Sequence, residues 1–577
     1  MPERAEKTTI GPRLAVARGD EPADLEIINA RVVNVFTGEI SAPQNVALSG
    51  GYIAAVGGTR QARQRLDLGG AFLCPGLIDA HVHVESSMVS PFEFARAVVP
   101  LGTTTVIADP HEIANVAGAD GIRWMLEASE GLDLELLLAA SSCVPASHLA
   151  TSGATLGATE LARLLEHPRV VALAEMMNVP GVVSGDPEVL AKLAAFHGRP
   201  VDGHCPGLGG PLLNAYCAAG VGSDHETISA EEAREKVRLG MRIFIRESTG
   251  AKNLVDLLPA VTAANSRRFS LCTDDRHPHD LLAEGHLDHL IRLAVQHGLD
   301  PVTAVQMATL NTAEAFRLTD RGAIAPGRRA DLVVVSDLES FRAQTVLASG
   351  RVVAENGAPT ANHLAPVCDA SAVCKPLRID LPTLELGVPA ASGKVRVIGL
   401  VPNQVITERL EMELPCAHGQ TTCDCSRDVA KLAVIERHHG TGRTGLGFVH
   451  GLGLRRGALA STVAHDHHNL IVAGMDDQSM RTAIAEVVRC GGGLAAAHGD
   501  TVLASLPLPL GGLMSDQPVE QVRHGLDELT RQAAELGAHG DPFMALSFLA
   551  LEVIPALRLT DLGLIDVERF ERVSLEC

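Results

Sequence analysis

Apolar and polar positions change their rhythm twice along this chain. From Leu25 to Val56, short β-branched runs (EIINARVVNVF, NVALSGGYIAAVG) alternate with glycine-containing turns, the pattern of a small antiparallel sheet. A similar passage, RADLVVVSDLESFRAQTVLASGRVVAENG, returns at residues 329–357, so the two predict one sheet module interrupted by a long insertion. Within that insertion apolar strand-like runs alternate with helices that carry start and stop signals. Asp186 and Pro187 open a helix that Gly198 ends, and Ser229 with Glu232 forms a capping box for a helix that stops at Gly240. The strand candidates are GLIDAHVHV, TTTVIADP, LELLLAASS, VVALAEMM, RPVDGHC, GVGSDHE, MRIFIRES and RFSLCTDD. Eight strands separated by helices in roughly 240 residues is the count of a (β/α)8 TIM-type barrel.

A third rhythm begins near residue 366, with glycine-rich turns (GTGRTGLGF, HGLGL, RCGGGL) between apolar runs and helical stretches near 478–488 and 517–536. The expected fold class is therefore α/β: a barrel over residues 76–319, a small β-sandwich module from the flanking segments 1–75 and 320–365, and an α+β domain over 366–577.

Composition narrows the function classes. A formal net charge of −21 argues against a nucleic-acid partner or an anionic membrane surface, since both need a concentrated basic face. The N-terminus has no apolar signal segment and no run of eighteen apolar residues occurs, which predicts a cytoplasmic protein without a membrane span. Aromatic residues make up only 3% of the chain, so Ala, Val, Leu and Ile must fill the core. The 12 cysteines sit mostly in apolar segments and read as reduced thiols. Cys416, His418, Cys423 and Cys425 crowd together, but without the spacing of a zinc knuckle, and a polar loop is the simpler reading.

The chemistry lies at the ends of the strands. His81 and His83 are two apart and project together, with Glu85 on the same side if the strand continues. Glu175, His204, His225 and Asp274 close four further strands. In a closed barrel these ends converge, so the six residues His81, His83, Glu175, His204, His225 and Asp274 form a candidate ligand set. Each alone has a structural reading, as a salt bridge, a core histidine or a helix cap; their joint placement favours one shared metal site. Six ligands exceed what one catalytic ion with an open position requires, which predicts two ions and a hydrolytic water. Asp109, His111 and Glu112 close strand two as a second cluster, which could bind substrate, hydrogen-bond Glu85 or hold a further ion, the structural alternative being a solvated loop with a helix cap. The histidine-dense stretches His277–Asp280 and His465–Asn469 lie outside the strand-end pattern, where surface loops or interface contacts and ligation are equally open readings.

These residues resemble the amidohydrolase superfamily: PGLIDAHVHVE after a β-rich segment, histidines on strands five and six, an aspartate on strand eight, then GAIAPGRRADLVVV re-entering the sheet. HVHVESSM, IADPHEIANV, LAEMMNVPGV, DGHCPGL, SDHE, CTDDRHP, GLGLRRGALASTVAHDHHNLIVAG and GGLMSD make it similar, within that superfamily, to the bacterial and archaeal adenine deaminases from about residue 25 onward. The resemblance implies hydrolysis of adenine to hypoxanthine and ammonia by attack of metal-bound hydroxide on C6, with two Mn2+ or Fe2+ ions. Zinc would suit the same ligands. Many superfamily members carry a carbamylated lysine after strand four; ALAEMM offers Glu175 instead. By the same analogy Asp274 is the base and proton shuttle, and Glu85 is the candidate donor to the ring nitrogen. Adenine and water are the expected partners of a homo-oligomer, with a dimer as the expectation. Two other classes stay open at this point: another cyclic amidohydrolase with a binuclear site, and a purine-binding scaffold that keeps the barrel without its metal.

Overall fold

The structure, a computed structural model, describes residues 3–360, 366, 368–402 and 404–577. All eight strand candidates are strands: β1 (Leu77–Val82), β2 (Thr103–Ala108), β3 (Glu135–Ala140), β4 (Val170–Met176), β5 (Val201–Gly203), β6 (Ser223–Asp224), β7 (Arg242–Arg246) and β8 (Phe269–Cys272). They pair in parallel and in chain order, β1 to β5 in one run and β6 to β8 in another. Two seams close the ring. The Gly222 N–H donates to the Val201 carbonyl at 3.0 Å, and the Asp274 N–H donates to the His81 carbonyl at 3.0 Å beside a Val82–Asp274 bridge. Every strand therefore delivers its C-terminal end to one mouth, the face on which such barrels carry their sites.

The predicted helix signals work locally. Asp186 accepts from the N–H groups of Glu188 and Val189 ahead of the helix Pro187–Ala195, and Gly198 takes a positive φ of 82° beyond it. Ser229 accepts from the Glu232 N–H, but the Glu232 carboxylate reaches back to the Ile228 N–H rather than to that of Ser229, so the box is one-sided. The larger departure concerns Glu85. Strand β1 ends at Val82 and the chain turns at once into a 3-10 helix over Val84–Ser87, so the two-residue alternation that was to align Glu85 with His81 and His83 stops before it.

The sequences flanking the barrel do meet in one sheet. Phe72–Pro75 pairs with Ala23–Asn34 on one side and with Leu332–Val335 on the other. The long strand Ala23–Asn34 also pairs along its first half with Gln44–Ser49 and Ala62–Asp67. The expected last residues of this module, 361–365, lie outside the described residues. Beyond them an eight-stranded sheet runs from Thr407–Met412 at one edge to Thr501–Pro507 at the other. Helices Asp477–Arg489 and Val519–Glu535 stand where the sequence predicts them.

This C-terminal part is sewn onto the barrel mouth. Ser515 N–H donates to the Met88 carbonyl at 2.8 Å, Val519 N–H to the Glu93 carboxylate at 3.1 Å, and Thr151 N–H to Asp561 at 2.9 Å. The stretches it grips follow β1 and β3, so it stands over the strand ends.

Candidate metal centre

Glu175 is the hub. It sits in β4, is 2% exposed, and is surrounded by imidazoles from four other strand ends. His204 Nδ1 is 2.7 Å from Oε2 and His225 Nε2 is 3.5 Å from the same oxygen; His83 Nε2 and His111 Nδ1 are each 3.2 Å from Oε1. Burial alone would push such a carboxyl up, yet the imidazoles of His111, His204, His225 and His83 hold it well below the usual range, so it is an anion.

Asp274 approaches from β8, with His83 Nε2 at 3.2 Å and His81 Nε2 at 3.6 Å from its Oδ1. Its backbone is in the left-handed region, at φ 55°, which is uncommon for a residue with a side chain and costs energy that its surroundings must offset. Burial opposes its ionisation, but His83 and the Arg246 guanidinium, 3.3 Å from Oδ2, keep it well below its ordinary value.

The outer nitrogens of these rings explain how the inner ones point. Asp202 Oδ2 stands 3.2 Å from His81 Nδ1 and 3.0 Å from His225 Nδ1, and the Asp109 carbonyl is 3.0 Å from His83 Nδ1. Carboxylate and carbonyl oxygens only accept, so each Nδ1 carries a proton, and in the neutral ring that leaves Nε2 as the lone-pair donor a cation requires. His81 Nε2 and His83 Nε2 face each other 3.0 Å apart, and Glu175 Oε1 beside them makes no hydrogen bond; against the effect of burial, the Asp274 and Glu175 carboxylates hold His83 well above its ordinary pKa. Buried imidazole nitrogens converging on one point, with two carboxylates, are a donor set that suits a divalent cation.

Of the residues predicted from sequence, the structure brings together His81, His83, Glu175, His204, His225 and Asp274, and adds Asp109 and His111. Four overlapping donor groups result: His83, Asp109, His111 and Glu175; His81, His83 and Asp274; His81, Glu175 and His225; His204, His225 and Glu226. Glu85 and Glu112 lie behind this cluster. Glu85 Oε1 accepts from the Ile113 N–H at 3.2 Å, its other oxygen is unpartnered, and burial raises its pKa. Glu112 accepts from Ser86 Oγ at 3.1 Å and faces His465 and His468 across 4.0 and 3.9 Å. That last trio is not a good cation site, because the Ala464 N–H donates to His468 Nδ1 and so leaves the proton on Nε2, the atom aimed at Glu112.

Sequence reasoning missed Asp202, Glu226, Arg246 and Asp466. Asp202 precedes His204 by two residues, the same-face spacing that picked out His81 and His83, and Arg246 ends β7 as the other site residues end their strands. Asp466 has no such signal. The remaining histidine-dense stretch also makes interface contacts: His279 Nδ1 is 3.3 Å from Asp527, and His277 Nδ1 is 3.8 Å from Asp541. The cysteine-rich loop disperses, with Cys423 Sγ donating to the Met475 carbonyl and Cys425 Sγ turned to that of Arg455; among the described residues no donor group includes a cysteine.

A cleft opens above the cluster. Its floor holds His83, His111, Glu175, His204, Glu226, Arg246 and Asp274. Val405, Met544, Phe548, Leu551 and Ile554 of the C-terminal part supply an apolar wall. Among the described residues no helix is long and apolar enough to cross a membrane.

Comparison with known proteins agrees with this architecture. Residues 72–353 match the model of the amidohydrolase family, and residues 404–571 match that of the adenine deaminase C-terminal domain. Adenine deaminase of Desulfatibacillum aliphaticivorans is 54% identical over 97% of this chain and 99% of its own length. Adenine deaminase 2 of Carboxydothermus hydrogenoformans is 51% identical over 97% and 98%, and adenine deaminase of Dehalococcoides mccartyi 46% over 99% and 100%. With relatives this similar over nearly its whole length, and a buried histidine–carboxylate cluster at the mouth of an amidohydrolase barrel, the chain belongs to the adenine deaminase family.

Proposed function

We propose that this protein hydrolyses adenine to hypoxanthine and ammonia, and that His81, His83, Glu175, His204, His225 and Asp274, with Asp109 and His111 at their edge, hold two divalent ions, Mn2+ or Fe2+. The observation that carries the reading is Glu175, an anion gripped by imidazoles from four other strand ends beneath a cleft. Bound ions of this kind supply Lewis acidity that makes water nucleophilic near neutral pH.

The reaction forms a C6–O bond, breaks the C6–N bond of the exocyclic amine, and needs a proton at the neighbouring ring nitrogen and another on the departing amine. Asp274, kept ionised beside Arg246, takes the proton of the attacking water and passes it to the amine. The ring-nitrogen proton is assigned to Glu85, whose buried carboxyl retains a proton more readily than an exposed one. Glu226 is the second reading for that role, because it lines the cleft whereas Glu85 does not. Glu85→Gln should leave metal content intact and cut kcat at least a hundredfold while Glu226→Gln cuts it far less. The reverse order would transfer the role to Glu226.

The division into a composite β module (1–75, 320–365), a barrel (76–319) and a C-terminal domain (366–577), a cytoplasmic location and a homodimer complete the proposal. The deciding assay follows adenine absorbance and ammonia release with manganese- and iron-loaded protein. No turnover of adenine alongside activity on a hydantoin or other lactam would sink it.

A further inference from the structure

Asp466 comes from the C-terminal part, yet it lines the cleft together with the barrel residues. It is 3% exposed, its Oδ1 stands 3.6 Å from His111 Nε2, and its Oδ2 has no hydrogen-bond partner. It belongs to none of the donor groups that could hold an ion. A buried carboxylate oxygen at the edge of a binding cleft, with nothing to accept from, is an acceptor kept for a ligand N–H. Its neighbours suit a flat ring. His465 stacks on Phe548 with centroids 4.8 Å apart and planes 23° from parallel, and Phe548, Leu551 and Ile554 continue the apolar wall. The polar residues lie on the barrel side, so an adenine whose C6 faced them would turn its imidazole edge toward the C-terminal part.

We propose that Asp466 is a specificity-determining residue that accepts a hydrogen bond from the imidazole-ring N–H of free adenine. A free base has that N–H; a base substituted at the same nitrogen, such as a nucleoside, does not, and would leave the buried acceptor unpaired beside added bulk. Sites built to hydrogen-bond a substrate N–H reject the analogue that lacks it far more strongly than apolar pockets reject a small change in size. The C-terminal part then completes the substrate site rather than merely covering it.

The assignment rests on the adenine reading, and the two fail differently: loss of that reading shows as wild-type protein inert toward adenine, loss of this one as active protein indifferent to Asp466. In manganese-loaded full-length protein, Asp466→Leu, which removes the acceptor at nearly the same volume, should raise KM for adenine and lower kcat/KM at least tenfold, with metal content unchanged. The inhibition constant of 9-methyladenine, which has no ring N–H to give, should stay within threefold of its wild-type value. An equal loss for both ligands, a kcat/KM for adenine within threefold of wild type, or loss of metal would overturn the proposal. Should Asp466→Leu not fold, wild-type protein decides alone, since binding 9-methyladenine as tightly as adenine would overturn it and tenfold weaker binding would support it.

Discussion

Asp202 touches no ligand position itself, yet it fixes two of them, because one of its oxygens meets the outer nitrogens of both His81 and His225. Those imidazoles stack with centroids 3.8 Å apart, so their common tilt depends on that single carboxylate. Partners of this kind set tautomer and ring orientation, and their loss commonly costs about 10–100-fold in metal affinity or activity. Asp202→Asn should therefore weaken metal retention by about 10–100-fold in chelator competition, with little change in far-ultraviolet circular dichroism. Unchanged retention would mean the ring positions are set by packing alone. At this scale most of the site was legible: His81 with His83, Glu175, His204, His225 and Asp274 stand out because strand alternation and barrel closure together say where they point. Asp202 was equally readable by the same alternation. Asp466 was not, since a loop position in the C-terminal part reaches the barrel mouth only through packing, which no local pattern encodes.

The strands and the elements behind them were legible where periodicity held and misread where it broke. All eight strands follow from apolar runs ending in polar residues, but the turn at Val84 removed Glu85 from the aligned face, and nothing in the apolar pattern of HVHVESSM marks that turn. One buried pair ties β1 and β8 to the helix behind them. His286 is fully buried, with Nδ1 2.9 Å from Thr103 Oγ1, and Nε2 3.2 Å from Asp79 and 3.3 Å from Thr273. Burial, reinforced by Arg276, lowers its pKa to about 3 from an ordinary 6.5. The folded state therefore binds no proton at His286 between those values while the unfolded chain does. Its contribution is present above pH 6.5 and is lost as the pH falls toward 3. Wild-type stability should rise with pH through this window relative to His286→Gln, while Asp79, whose carboxyl burial pushes up to about 7, adds the opposite trend to both proteins. Thermal unfolding of both proteins at pH 4.5, 5.5 and 6.5 checks it, and parallel curves would show that His286 is protonated in the fold.

At the scale of the whole molecule, the cleft exists because the C-terminal part is held against loops that follow β1 and β3. Asp561 carries much of that joint: it accepts from the Thr151 N–H at 2.9 Å and from Thr151 Oγ1, and Asn469 Nδ2 bridges it at 3.4 Å to the Thr151 carbonyl, 2.9 Å away. Thr560 Oγ1 next to it donates to the Leu149 carbonyl at 2.7 Å, and Ser147 Oγ donates to Glu552 at 2.8 Å. Asn469 lies three residues beyond Asp466, and Leu551 and Ile554 flank Glu552, so the same joint positions both the unpartnered acceptor and the apolar wall of the cleft. Asp561→Ala leaves the part-buried Thr151 donors without their acceptor and removes one acceptor of the Asn469 amide, at a cost of about 1–3 kcal/mol. It should lower the thermal midpoint and raise KM for adenine several-fold, while metal content, set by the barrel strand ends, stays at the wild-type level. A variant that lost metal in proportion to activity would show that the C-terminal part holds the metal centre itself together; one that changed KM alone would place its work at the substrate.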